Sequence, residues 1–171
     1  MVVIIVNGMG RCGKDYLISH IEDTIPYNIN YVQKVKDMLA MCGYKESTKS
    51  DKDRKFLHKL KILTDEYCDF CFTETLKNVS TAIELDIDKI IFIHVGELKD
   101  IKRLKGTLKD KYKDLKVYTL WIDSKDNIGE DDPRFDGNKD NVDTSQYDYV
   151  FINNKDEESV KKFNQLIKYL L

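Results

Sequence analysis

The chain has 171 residues, which is about the size of one domain and leaves room for a single sizeable core. Its 42% apolar and 34% charged residues, with 2 prolines and 8 glycines, exclude a disordered or fibrous protein. A formal net charge of −2 argues against nucleic acid as a partner, because neutralising many phosphates requires a clear excess of basic side chains.

The apolar runs are too short for a membrane span or a secretory signal. The first covers residues 2–6, and no later run approaches the roughly 20 apolar residues that a membrane span requires. We therefore expect a cytoplasmic protein that does not bind membranes. Four cysteines in such a chain predict reduced thiols, and Cys68 and Cys71 have no second pair or histidine cluster to complete a zinc site.

Two apolar, β-branched runs without polar alternation, residues 2–6 and 89–95, are typical of strands covered on both faces, as in a parallel sheet. Around them, apolar residues recur every three or four positions, which is typical of helices packed on one side. In chain order we expect a strand at 2–6, a helix at 14–23, an extended piece at 29–32 and a helix at 35–41. A long bent helix should follow from Ser50 or Asp51 to about 85, and then a strand at 89–95 and a helix from 98. The last elements expected are strands at 117–122 and 149–152 and a helix at 157–171. This alternation predicts a three-layer α/β/α fold with a mainly parallel sheet of about five strands.

One long segment breaks the alternation. Residues 123–146 lose apolar periodicity and gather glycine, asparagine and aspartate around Pro133 and Arg134. Excursions of this length in compact domains are usually lids or disordered segments. We expect one P-loop kinase-like domain over residues 1–171, with a helical acceptor-binding region at 44–85 and a lid-like loop at 123–146.

The motif that carries chemistry lies between the first strand and the first helix. The segment from Gly8 to Lys14 fits the pattern GxxxxGK. Its glycines let consecutive backbone N–H groups curl around a phosphate, the helix N-terminus adds the positive end of its dipole, and the lysine reaches the β- and γ-phosphates. This placement favours an ATP site over a chance glycine-rich turn. The residues expected to contact ATP here are Gly8, Met9, Gly10, Arg11, Cys12, Gly13, Lys14 and Asp15.

Asp15 stands where a serine or threonine hydroxyl commonly coordinates Mg²⁺ in this motif. A carboxylate can hold this hard cation, directly or through water, but without the metal its charge would repel the triphosphate. Asp15 is therefore the predicted metal ligand, and we expect nucleotide binding to depend strongly on Mg²⁺.

The Gly-Lys-Asp variant of the motif resembles that of the phage deoxynucleoside monophosphate kinases and the animal-type phosphomevalonate kinases. Stretches at 6–8, 53–61, 92–97 and 147–153 are also similar to small bacterial and phage proteins related to these kinases. The resemblance covers most of the chain, and the P-loop is its specific part. It implies a P-loop NTPase fold of the nucleoside monophosphate kinase type, and phosphoryl transfer from ATP to a nucleotide substrate. It also implies that Asn153 lies near the adenine, although asparagine is common in strand-to-helix turns.

The acceptor side is less marked, because acceptor phosphates are usually held by arginine and the chain has four. Arg54, His58, Lys61 and Asp65 follow one another at spacings of four, three and four, so they share one stripe of a continuous helix. The first three are candidate substrate ligands. A solvated helix face gives the same pattern.

His94 and Glu97 lie at the carboxyl end of a predicted buried strand, where open parallel sheets bind their ligands. Both are candidate substrate ligands, with a satisfied histidine and a helix-capping acid as the alternatives. In the resembled kinases an arginine precedes this glutamate, whereas the present chain has Gly96.

Arg134 is the arginine of the long excursion, where lid arginines close over the transferring phosphoryl group in the resembled kinases. The predicted catalytic residues are therefore Lys14, Asp15 and Arg134, although the loop is also acidic enough to be a solvated surface loop. Two alternatives to a nucleoside monophosphate kinase stay open. One is a kinase of phosphomevalonate or dephospho-coenzyme A, and the other is a nucleotide-binding protein with little catalysis.

Overall fold

The computed structural model describes residues 1–45, 50–86, 89–124 and 143–171. Its strands are β1 (Val2–Gly8), β2 (Tyr27–Asn30), β3 (Ile90–His94), β4 (Lys116–Ser124) and β5 (Tyr149–Asn153). Its helices are α1 (Lys14–Ser19), α2 (Gln33–Ala40), α3 (Asp51–Cys68), α4 (Phe70–Glu84), α5 (Leu98–Lys111) and α6 (Glu157–Leu170). None of these helices is both long enough and apolar enough to cross a membrane.

The five strands form one parallel sheet in the order β2-β3-β1-β4-β5. β1 is central because its apolar run is buried on both faces, and it pairs with β3 on one side and β4 on the other. Val6 lies beside His94, and Gly8 lies beside Ile122. The predicted α/β fold with a parallel sheet of about five strands is confirmed.

Helices cover both faces of the sheet. Connections between parallel strands are right-handed. The connection from β1 to β2 runs one way across the sheet, and the connections from β2 to β3 and from β3 to β4 run the other way. Their helices therefore lie on opposite faces of the sheet. α4 packs on β2 and α5 packs on β4, while α2 and α3 pack on α4. On the other face α6 meets the end of α1, where Asn164 donates to the His20 carbonyl oxygen at 2.9 Å and accepts from the Glu22 N–H at 2.8 Å.

The long helix expected from residue 50 to 85 is two helices rather than one bent helix. Asp69 adopts a left-handed conformation, with φ of 53°, which ends α3 and begins α4. The Asp65 carboxylate accepts from the Cys71 N–H at 2.9 Å, so it satisfies a donor at the start of α4. Arg103 of α5 forms a bidentate ion pair with Asp69 and fixes the break.

The start of α3 was predicted correctly. Ser50 is its N-cap, and its hydroxyl accepts from the Asp53 N–H at 3.2 Å while the Asp53 carboxylate accepts from the Ser50 N–H at 2.8 Å. This reciprocal capping box satisfies two donors at the helix end. α1, by contrast, ends at Ser19 and not near residue 23, and the His20 ring lies 2.8 Å from the Tyr16 carbonyl oxygen at that end.

Candidate active site

The loop between β1 and α1 lies at the carboxyl edge of the sheet, and two of its glycines have no room for a side chain. A Cβ on Gly8 would lie 2.1 Å from the Ile122 carbonyl oxygen of β4. A Cβ on Gly13 would lie 2.5 Å from the Asn153 amide nitrogen, and Gly13 has a φ of 81° that favours glycine. The sheet therefore holds the loop close against the ends of β4 and β5.

Lys14 begins α1 and folds its side chain back over the loop. Its ammonium donates to the carbonyl oxygens of Gly8 at 3.1 Å and Met9 at 3.3 Å. The positive charge thus sits on the inner side of the glycine-rich turn, beside the first backbone N–H groups of a helix. This combination of a cation, a glycine-rich turn and a helix start is the one that phosphate binding requires.

Asn153 holds the loop between β1 and α1 with a hydrogen bond from the end of β5. It is buried, its amide donates to the Cys12 carbonyl oxygen at 2.9 Å, and its side-chain oxygen accepts from the Lys155 N–H at 2.9 Å. The Asn153 side chain therefore contacts the loop and the start of the next turn. A contact between Asn153 and an adenine stays a prediction.

Asn7 is a site residue that the sequence analysis did not single out. It is buried, accepts from the Gly8 N–H at 2.8 Å, and donates to the Tyr147 hydroxyl at 2.9 Å and the Gly96 carbonyl oxygen at 3.4 Å. It joins the entry to the glycine loop with the segments that follow β3 and precede β5. The available signal was an amide side chain that interrupts an apolar strand directly before the glycines.

Cys12 lies inside the loop but is buried. Burial raises the pKa of its thiol above the ordinary value, and the nearby Lys14 ammonium only partly opposes this. A protonated, buried thiol is a poor nucleophile, so the structure gives Cys12 a packing role.

The structure brings Asp15 and His94 together. The Asp15 carboxylate is 92% exposed, and one of its oxygens lies 3.6 Å from Nδ1 of His94. The other ring nitrogen of His94 lies 3.1 Å from the Asn28 side-chain oxygen. Burial lowers the pKa of His94 and the Lys14 and Lys36 cations lower it further, while Asp15 opposes them, so the ring is neutral near pH 7.

Asp15 fits the predicted role of a magnesium ligand in its chemistry. It offers a solvent-facing carboxylate beside the glycine loop, and Mg²⁺ is usually held by one or two carboxylates together with waters and phosphate oxygens. Within the described residues, no group of three histidine, cysteine, aspartate or glutamate side chains would hold a metal ion by itself. A metal at Asp15 would therefore need ligands from the nucleotide and water.

The stripe predicted on the long helix divides into two parts. Arg54 and His58 are exposed near the start of α3, and their side chains make no hydrogen bond or ion pair with another described residue. Lys61 is buried, and its ammonium lies 2.9 Å from the Glu97 carboxylate and 3.3 Å from each of the Asp65 and Asp100 carboxylates. Two of the five candidate substrate ligands, Lys61 and Glu97, therefore pair with each other.

The electrostatics of this buried cluster favour the charged pair. Burial lowers the pKa of Lys61, but the hydrogen bond with Glu97 and the charges of Asp100 and Asp65 outweigh it, so the pKa is raised. Burial raises the pKa of Glu97, but hydrogen bonds with Lys61 and Lys99 outweigh it, so the pKa is lowered. Binding of a substrate to either residue stays a prediction, and it would have to displace this pair.

Arg134 lies outside the described residues, as does most of the predicted lid-like loop. Its catalytic role stays a prediction.

No protein-family model matches the chain, and no curated protein matches it. Among solved structures, a similar chain is the shikimate kinase from Bacteroides thetaiotaomicron, at 11% sequence identity and a TM-score of 0.42. The similarity covers 99% of this chain and 97% of that one. A likeness of this strength identifies neither an activity nor a substrate.

Proposed function

We propose that the chain is an ATP-dependent phosphotransferase that requires Mg²⁺ and acts on a nucleoside or deoxynucleoside monophosphate. The observation that carries the proposal is the glycine loop at the carboxyl edge of β1, with the Lys14 ammonium 3.1 Å from the Gly8 carbonyl oxygen inside the turn. The nucleotide acceptor rests on the resemblance of the Gly-Lys-Asp motif to the phage kinases.

In this proposal the donor side of the site stabilises charge. Lys14 and the loop N–H groups bind the phosphate oxygens that gain charge as the bond to the leaving group breaks. Asp15 would hold Mg²⁺, which when bound would neutralise part of the phosphate charge. Positioning and electrostatics suffice for in-line transfer, so no covalent enzyme intermediate is needed.

The acceptor side is assigned to the exposed part of the stripe. Arg54 and His58 lie one helical turn apart, so an arginine fork and an imidazole face the same direction from α3. Arg134 is proposed to close over the transferring group.

A nucleotide-binding protein that transfers phosphate to no acceptor is the second candidate, and one observation favours it. The Lys61 ammonium lies 2.9 Å from the Glu97 carboxylate, so two predicted acceptor ligands already satisfy each other.

The deciding experiment measures acceptor-dependent ADP formation with ATP, Mg²⁺ and a panel of ribo- and deoxynucleoside monophosphates, with phosphomevalonate and dephospho-coenzyme A alongside. Lys14→Ala is the test variant, and Lys113→Ala, an exposed lysine far along the chain, is the matched control. A signal with one acceptor, lost only in Lys14→Ala, would establish the kinase and its substrate. Bound ATP without turnover on any acceptor would favour the second candidate, and absence of ATP binding would overturn both.

A further inference from the structure

α3 exposes a row of large apolar side chains. Phe56 is 53% exposed, Leu63 is 62% exposed and Tyr67 is 90% exposed, and the partly buried Leu60 lies between the first two. The spacings of four, three and four are those of the apolar positions of a coiled coil. Contiguous exposed apolar surface on a soluble protein usually marks an interaction site.

This row is separate from the proposed catalytic face. Phe56 and Arg54 are two positions apart, which corresponds to about 200° of helical rotation, so they lie on nearly opposite sides of α3. The buried Leu57 and Lys61 occupy the side that packs on the protein. Binding through this row is therefore independent of the proposed phosphotransferase activity.

The charges beside the row change sign along the helix. Along one edge of the row, at positions spaced by seven residues, the first half of α3 carries Lys52 and Lys59 and the second half carries Glu66. Lys59 and Glu66 are seven positions apart, so they lie on the same edge of the apolar row. Neither has an ion pair with another described residue.

We propose that the apolar row of α3 binds the same row of a second copy of this chain, in an antiparallel pair of helices about a two-fold axis. A two-fold contact places Phe56 of one copy opposite Tyr67 of the partner subunit. It also places Lys59 beside Glu66 of the partner subunit, and this ion pair forms twice. Parallel pairing would instead bring Lys52 and Lys59 of the two copies level with each other, so this ion pair would not form.

The self-complementary charge pattern favours a second copy of this chain as the partner. An unrelated partner would need its own matching charge gradient, whereas two copies of α3 supply it to each other. One helix pair lies at the small end of stable interfaces, so we expect a dissociation constant in the micromolar range.

Sedimentation equilibrium of the full chain from about 1 to about 200 µM tests the proposal. We expect a dimer whose dissociation constant rises at least about 100-fold in Leu63→Glu, because a charge in the row is buried without a partner. Ile25→Glu is the control, since Ile25 is 82% exposed outside the row and its substitution leaves the dimer unchanged. A wild-type chain that stays monomeric, or a dimer that persists in Leu63→Glu, would overturn the proposal.

A charge swap tests the antiparallel arrangement. Lys59→Glu and Glu66→Lys each place like charges together, so each raises the dissociation constant about tenfold. The double variant restores both ion pairs with reversed sign and returns the dissociation constant to near the wild-type value. If the double variant is as weak as the singles or weaker, the antiparallel register is wrong and the proposal fails.

Discussion

Gly13 and Gly43 have the same type of backbone conformation but different surroundings. Their φ angles are 81° and 90°, yet an added Cβ at Gly13 would meet Asn153 at 2.5 Å, while one at Gly43 would meet nothing within 4 Å. Both alanine variants lose about 1 kcal/mol from backbone strain. Gly13→Ala also displaces the Asn153 amide from the Cys12 carbonyl oxygen, so we expect a total loss of about 2–3 kcal/mol.

Urea unfolding of both variants measures the difference, and ATP titration measures its effect on the loop. Nucleotide affinity should fall about tenfold or more in Gly13→Ala and stay unchanged in Gly43→Ala. Equal losses of stability and unchanged affinity in the two variants would show that Asn153 does not hold the loop in shape.

In the proposed reaction, substitution of Arg54 should weaken acceptor binding without affecting ATP binding. Removing a charge-assisted hydrogen bond to the acceptor phosphate costs about 1.5–3 kcal/mol, so Arg54→Ala should lower kcat/KM for the acceptor about 10- to 100-fold. The KM for ATP should not change. Lys55→Ala is the control, because this neighbouring cation on α3 is also exposed but points elsewhere. Equal effects of the two variants would indicate a general charge effect and not a contact at Arg54.

Only part of the candidate site could be predicted from the sequence. Gly8, Gly13 and Lys14 follow a fixed spacing with a known physical reason, and the structure brings them together in one loop. Asn7 was missed because its one signal, an amide side chain that interrupts an apolar strand directly before the glycines, is too weak on its own to mark a site residue. The pairing of Lys61 with Glu97 depends on where α3 lies relative to the start of α5, which side-chain identity does not reveal.

α3 and α5 are joined through the buried ion cluster around Lys61. Lys61→Met leaves the Asp65, Glu97 and Asp100 carboxylates without their shared cation, and we expect the free energy of unfolding to fall by about 2–3 kcal/mol. Lys55→Met on the exposed side of the same helix should change it by less than about 0.5 kcal/mol. Denaturant unfolding at pH 7 compares the two variants, and equal effects would show that the cluster adds nothing to helix packing.

Within the same cluster, the pKa shift of Glu97 predicts a pH dependence with a definite sign. The folded-state pKa of Glu97 is lowered below its ordinary value of 4.5, so its pairing with Lys61 stabilises the fold above that pH. This stabilisation is lost as the pH falls through the folded-state pKa. The stability difference between wild type and Lys61→Met should therefore shrink below pH 4.5 in unfolding measurements. A difference that grows on acidification would contradict this assignment.

Whole helices were easier to predict than their ends. The spacing of Leu57, Leu60 and Leu63 identified a helix, and Ser50 identified its start, because both signals are local. The break at Asp69 was not predicted, because neither glycine nor proline marks it. Its left-handed backbone is held by tertiary contacts, chiefly the bidentate ion pair with Arg103.

The sequence predicted a mainly parallel sheet, but it did not predict the order of the strands. Buried apolar runs such as Val2 to Val6 show which strands have both faces covered. The order β2-β3-β1-β4-β5 depends on which strands the helical connections bring together, and no local pattern specifies it. Knowledge of this order is what places Asn28, His94 and Asn153 on the same edge as the glycine loop.

Binding of ATP should stabilise the whole chain, and it should do so through Mg²⁺. A ligand at about 100 times its Kd adds about 2.7 kcal/mol, which for a chain of this length raises Tm by about 5–10 °C. Because the exposed Asp15 carboxylate repels a bare triphosphate, ATP in the presence of a chelator should give little of this shift. Thermal unfolding followed by circular dichroism measures the Tm without ATP, with ATP and Mg²⁺, and with ATP and a chelator.

Asp15→Asn separates this explanation from a general need for magnesium. The variant lacks the repelling charge but also the metal ligand, so its Tm shift with ATP alone should increase while its shift with ATP and Mg²⁺ should decrease. Lys14→Ala should show little shift under either condition, because the loop then lacks its cation. An equal shift with and without the chelator in the wild-type chain would remove Asp15 from the proposed metal site and leave the glycine loop as the sole determinant of nucleotide affinity.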